Sequence, residues 1–108
     1  MIRLDKSPIY LYGKRMRFEW DPAKQKANLI KHGVAFDVAR WAFGDPRRIL
    51  LSTPGKSMIE PRYWCIGMVN GGILTVSFTL RVGCVRIINA GYFKKGKAIY
   101  EKTHRLQK

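Results

Sequence analysis

Hydrophobic positions along the chain follow two rhythms, one of period two and one near 3.6, and the boundaries between them are marked by turn and cap residues. Arg17-Phe18-Glu19-Trp20 alternates polar and apolar residues and predicts a short strand. Asp21-Pro22 follows at once. It supplies a capping side chain and a residue whose missing N–H is harmless in a first helical turn, so a helix is predicted to begin there. Within residues 23–32, Ala23, Ala27 and Ile30 recur at helical spacing with Leu29 beside them. This stripe is expected to face the core, with Lys24, Gln25, Lys26, Asn28 and Lys31 covering the remainder. Gly33 is the expected stop. A second short helix is predicted over 37–43, with Val38, Trp41 and Ala42 on one side, closed by Gly44-Asp45-Pro46.

From residue 48 the pattern is that of strands, over 48–52, 62–68, 73–80 and 84–90, the last three a meander turning at Asn70-Gly71 and Val82-Gly83. In the strand from Ile73, Leu74, Val76, Phe78 and Leu80 share an apolar face, leaving Thr75, Ser77, Thr79 and Arg81 on an open polar one. Arg62 and Trp64 alternate with Tyr63 and Cys65, and Arg86 with Val85 and Ile87, so three arginines are expected near one rim of one sheet. The tail, 92–108, reads as a basic helix interrupted or begun at Gly96, docked through Ile99, Tyr100 and Leu106. Residues 1–15 show no sustained period and precede a second methionine, Met16. They read as an appended extension, or as an extra edge strand through Ile9 to Tyr12, in front of a single domain over 16–108. The predicted fold class is α+β: a small antiparallel sheet with two N-terminal helices and a C-terminal basic helix.

A chain of 108 residues has room for one modest core. Its 21 Lys and Arg against 7 Asp and Glu give a formal charge of +14, yet 46% of its residues are hydrophobic, so it is a folded cation rather than a disordered tail. RNA, DNA, an acidic protein and an anionic membrane are the partner classes this charge admits. Residues 63–80 carry no charge and approach the length of a spanning helix, but Asn70-Gly71-Gly72 in the middle and the β-branched and aromatic flanks favour two paired strands. Cys65 and Cys84 have no partner at metal-ligand spacing and cannot form a disulfide framework. Two buried thiols in a reducing compartment are expected, and with no signal peptide evident the cytoplasm is the expected location. No cofactor is expected.

No Gly-rich phosphate loop, paired metal-binding carboxylates, nucleophile elbow or HExxH helix occurs, so most familiar enzyme classes lack an anchor. Arginines, lysines, one interior histidine and one isolated glutamate remain. These groups suffice for metal-independent RNA cleavage, in which the ribose 2′-hydroxyl attacks the adjacent phosphate while the protein supplies base, acid and cations. Arg62, Arg81 and Arg86 are the candidate phosphate ligands, since a guanidinium grips phosphate oxygens bidentately. Lys31, His32 and Glu60 are the candidates for proton transfer. His32 at a helix end has a plainer role with the helix dipole, and Glu60 as the salt-bridge partner of Arg62. Trp20 and Trp41 read as core; Trp64, on the face of Arg62, is the aromatic best placed to stack on a base.

Phe18-Glu19-Trp20-Asp21-Pro22-Ala23-Lys24, then Asn28-Leu29-Ile30-Lys31-His32-Gly33-Val34 and Phe36, closely resembles the opening of the BrnT toxin family. Asp45-Pro46, Glu60-Pro61-Arg62-Tyr63, Leu74-Thr75-Val76, Arg81 and Arg86-Ile87-Ile88-Asn89-Ala90 continue the pattern in order, and the resemblance spans about residues 16–101. It implies a RelE-like fold, an endoribonuclease that inhibits translation and growth, and neutralisation by a ribbon-helix-helix antitoxin of the BrnA type that also binds operator DNA. In two places the chain departs from the pattern. Gly91 stands where the family carries an arginine, with Lys94, Lys95 and Lys97 as the nearest substitute charges for RNA, and Ile59 stands where a glycine is usual. RelE-like folds also host gyrase-directed inhibitors of the ParE type, and Gly91 fits a degenerate toxin kept as an antitoxin partner. Both alternatives stay open at this point.

Overall fold

The structure, a computed structural model, describes residues 10–11, 14–53 and 60–106. Two short strands, β1 (Tyr10–Leu11) and β2 (Lys14–Arg15), pair antiparallel as a separate ribbon. Most of the proposed N-terminal extension, with Ile9 and Tyr12 of the expected edge strand, lies outside the described residues. β3 (Arg17–Glu19) leads directly into α1 (Pro22–His32). The cap is as the sequence predicts: the Asp21 carboxylate accepts from the Ala23 N–H at 2.8 Å, with Pro22 in the first turn. Gly33 ends the helix in the left-handed region, φ 71°, and donates its N–H to the Leu29 carbonyl.

The face that α1 buries is not the predicted one. Asn28 is its buried residue, while Ala23 and Ala27 are exposed and Leu29 and Ile30 are 50% and 78% exposed. Asn28 decides the orientation through hydrogen bonds. Its Nδ2 donates to the carbonyls of Val34 and Ala90 at 2.9 Å each, and its Oδ1 accepts from the Ala90 N–H at 3.1 Å. The side-chain amide thus pairs with both polar groups of Ala90, as a neighbouring strand would, beyond the point where β3 has ended. Buried polar groups left without such partners would cost about 1–3 kcal/mol each, which outweighs the gain from turning a short apolar stripe inward.

α2 (Phe36–Ala39) tightens into a 3-10 turn (Arg40–Gly44), together occupying the place of the second predicted helix. β4 (Ile49–Ser52), β5 (Tyr63–Val69), β6 (Gly72–Arg81) and β7 (Cys84–Gly91) follow. The β5–β6 turn has both central residues at positive φ, Asn70 at 52° and Gly71 at 82°, the geometry that matches strand twist in a tight hairpin. The five-stranded sheet has the order β3-β7-β6-β5-β4. It is mixed rather than antiparallel, because β3 joins the edge parallel to β7. Only the meander strands are joined by tight turns that force antiparallel pairing; β3 reaches β7 through most of the chain and is free of that constraint. In the β6–β7 ladder Ser77 faces Asn89 and Phe78 faces Ile87, so Ile88 is the extra residue of a bulge.

One sheet face carries Cys65, Leu74, Val76, Phe78, Val85 and Ile87, covered by Phe36, Ala39, Ala42 and Phe43. Phe43 meets Phe18 and Phe78 edge-on, at 5.2 and 5.0 Å. Gly67 is required here, since a Cβ would overlap the Ala42 carbonyl. On the opposite face lies α3 (Lys94–Leu106), which runs unbroken through Gly96. A Cβ at Gly96 would strike the Thr75 hydroxyl, so the glycine is a contact point with β6 rather than an interruption. The polar face of β6 is therefore partly closed: Thr75 and Thr79 are buried, and Ile66, Ile73 and Tyr100 form a second small core with Ile99 packed against it. The Leu106 side chain lies outside the described residues.

Asp45 fastens this helix to the sheet. Its carboxylate accepts from the Tyr100 hydroxyl at 2.6 Å, the Met68 N–H at 2.7 Å and the Arg47 N–H at 2.8 Å. Burial pushes the Asp45 carboxyl up, but these three donors outweigh it and hold it below the ordinary value. Burial and the bond to Asp45 push Tyr100 up to about 12. Among the described residues no helix is long and apolar enough to cross a membrane.

Candidate active site

Strand pairing gathers cations at the end of the sheet that α3 leaves uncovered. Thr79 stands directly across from Arg86, and Arg81 lies two residues further along the same face of β6. Trp64 stands across from Ser77 on that face, and Glu19 is registered with Arg86 from the parallel edge strand. Each of the two arginines holds a carboxylate: Arg81 meets Glu60 at 2.9 Å, and Arg86 meets Glu19 at 2.9 Å. The bond from Arg86, helped by the nearby charge of Arg81, holds the Glu19 carboxyl below the usual range, so it is an ionised acceptor at neutral pH.

Glu60 pairs with Arg81, not with Arg62 as the simplest sequence reading has it. The reason is the path of the chain. The Thr79 hydroxyl donates to the Pro61 carbonyl at 2.8 Å, while the Thr53 N–H and hydroxyl both donate to the Arg62 carbonyl at 3.0 Å. These bonds lay residues 60–62 across β6, bringing Glu60 to Arg81 and leaving Arg62 exposed. Both ion pairs are partly open to solvent, with side-chain exposures from 30% to 48%. Pairs of this kind are worth only about 0–1 kcal/mol. They orient the guanidinium groups yet yield easily to a phosphate, which can bind in the same forked geometry.

Lys95 reaches over Trp64, its Nζ 5.5 Å from the ring centroid, so the candidate stacking residue carries a cation at its face. Lys94 and Lys97 are exposed on the same helix. Lys31 and His32 lie elsewhere, at the end of α1. The His32 ring meets Phe93 edge-on at 5.0 Å, beyond the far end of β7. Gly91 lies five positions beyond Arg86 along β7, about 16 Å of extended chain. The structure thus brings together Glu60, Arg81 and Arg86 and sets His32 apart. Glu19, Thr53 and Thr79 were missed by sequence reasoning. The alternation of Arg17, Phe18 and Glu19 held the one usable signal, since it placed Glu19 on the outward face.

The thiols are not nucleophiles. Cys65 and Cys84 are free and buried, and burial raises both, with the charge of Glu19 adding to the effect at Cys84.

Family comparison decides which of the polyanion-binding classes applies. The family model described as the ribonuclease toxin BrnT of type II toxin-antitoxin systems matches residues 20–96. The chain belongs to the BrnT family. The match runs from the end of β3 to the first turn of α3 and so contains strands β4 to β7, both rim arginines and Glu60. No curated protein matches the chain. As a BrnT toxin it is a ribonuclease by family, with RNA as substrate and a protein antitoxin as partner.

The departure at position 91 has a structural counterpart. Gly91 is buried, and a Cβ there would lie inside van der Waals contact of the Phe93 ring. No larger side chain fits while Phe93 keeps its place against His32.

Proposed function

We propose that the protein is a metal-independent endoribonuclease of RelE-like type that cuts RNA across the exposed rim of its sheet, and so inhibits translation and growth. The pairing of Arg81 with Glu60 beside Arg86 carries this reading. Arg81 and Arg86, with Arg62 at the margin, take the scissile phosphate and the charge that develops on it. Glu60, freed as the phosphate displaces it from Arg81, accepts the 2′-hydroxyl proton. Lys31 and His32, set apart at the end of α1, bind flanking RNA, and the departing 5′-oxygen takes its proton from water at the exposed rim, while Trp64 with Lys94, Lys95 and Lys97 holds the neighbouring bases and phosphates. The partner is a BrnA-like ribbon-helix-helix antitoxin, and both act in the cytoplasm.

Purified toxin incubated with RNA in excess EDTA is expected to release fragments ending in 2′,3′-cyclic phosphate. RNA left intact over long incubation overturns the reading. Arg81→Ala is expected to lower the cleavage rate roughly 10²-fold with the fold retained, the loss typical of a group that meets charge formed in the transition state. A second reading, binding without cleavage, is favoured by one observation: Phe93 fills the space beside Gly91 where the resemblance implies an arginine. Intact RNA together with undiminished growth inhibition would select it.

A further inference from the structure

The outer face of α1 carries an apolar stripe that has no partner among the described residues. Ala23, Ala27 and Ile30 recur at i, i+4 and i+7 on the side away from the buried Asn28, all three exposed; half-exposed Leu29 lies further round the helix, beyond Lys26. A soluble helix normally turns its apolar residues inward; here Asn28 takes the inward place against β7, and the apolar stripe is left in water between exposed lysines. Two alanines in line leave the helix surface low enough for a second helix to approach closely and lock its side chains between them.

Charge decides what approaches. Pro22–His32 contains no acidic residue, and exposed Lys24 and Lys26 border the stripe. A second copy of this chain would bring like charges face to face in a protein of formal charge +14. An acidic amphipathic helix would fill the stripe and meet the lysines at once. Family membership supplies a protein that must bind, the antitoxin. We propose that the outer face of α1 is the anchoring surface for the antitoxin, and that the segment it receives is an acidic amphipathic helix. The inference rests on the family reading. It separates affinity from neutralisation, because Ala27 and Ile30 lie outside the residues assigned to RNA.

The test titrates the purified antitoxin of the toxin's own system against Ile30→Glu and Ala27→Glu, with RNA cleavage by the free toxin as the fold control. Each variant is expected to raise Kd at least 30-fold while cleavage stays within twofold of the parent, the loss typical of a desolvated interface anchor. Ile30→Leu should keep the affinity. Lys24→Glu with Lys26→Glu should slow association about tenfold at low salt and flatten its salt dependence. Unchanged Kd in both glutamate variants overturns the proposal, as does a free toxin that sediments as a dimer and becomes monomeric on Ile30→Glu, which would make a second copy the occupant. Failure of the antitoxin to bind even the parent toxin would instead strike the family-based function.

Discussion

The two main helices are both basic and both amphipathic, yet they meet the sheet in opposite senses. α3 follows the usual rule, placing Ile99 and Tyr100 against the sheet and its lysines in water. α1 inverts it, burying Asn28 and exposing Ile30. The difference lies in what each part of the sheet demands. Beneath α3 the strands are paired on both sides and leave no backbone group for the helix to satisfy, so apolar area and close fit set its face, with Gly96 supplying the fit and the Tyr100–Asp45 bond fastening it. Beside α1 the edge strand has ended, and Ala90 still presents an N–H and a carbonyl that need partners. A helix that offers an amide to such an edge is oriented by hydrogen bonding, and its apolar residues go where they are left.

The contrast can be pressed hardest at Asn28. Asn28→Leu adds apolar volume but strips partners from Ala90 and Val34, and is expected to lower unfolding free energy by about 3 kcal/mol in urea denaturation. A loss below about 1 kcal/mol would show that the edge does not set the helix. Fit under α3 is tested by Gly96→Ala, expected to cost about 2 kcal/mol by forcing the helix off Thr75. In a Gly96→Ala, Thr75→Ala double-mutant cycle much of that loss should return; strict additivity would remove the contact from the account.

A smaller effect follows from Tyr100. Its pKa is raised in the fold to about 12 from 10.0, so the neutral phenol is the bound form. The associated stability is complete below pH 10 and drains away as pH climbs toward about 12. Tyr100→Phe should cost about 1 kcal/mol at neutral pH and remove that alkaline decline in thermal melts. Asp45 acts in the other direction: with its pKa depressed, its contribution is present above the ordinary value of 3.8 and fades on acidification below it. The smallest effect is expected at Ile30→Ser, within about 0.5 kcal/mol of the parent, because little is packed there in the free toxin. A large loss would mean that the exposed stripe is covered in solution.

Local chemistry explains what was legible beforehand. Asp21-Pro22, Gly33, Asn70-Gly71 and Val82-Gly83 each fix their own backbone with neighbours a few residues away, and each element boundary they predict is present. Periodicity failed where a distant partner decides. The stripe of α1 is real, but Ala90, far along the chain, determined which way it faced. Gly96 looked like a break because its contact, Thr75, is remote. At the candidate site the faces of Arg81, Arg86 and Trp64 were readable from strand alternation, whereas Glu60 was assigned to its nearest arginine. Hydrogen bonds from Thr53 and Thr79 carried it to another.

Parallel pairing of β3 with β7 also bears on when the toxin acquires its activity during synthesis. Glu19 meets Arg86 across 67 residues and Asn28 meets Ala90 across 62. Contacts so distant in sequence close late and slowly, since the intervening chain must lose its freedom first. A nascent chain still lacking residues 84–91 has neither its last central strand nor Arg86, and such a truncated chain is expected to leave RNA uncut. The rim that gathers Glu19, Arg81 and Arg86 is therefore assembled only after β7 has been made, however early β3 leaves the ribosome.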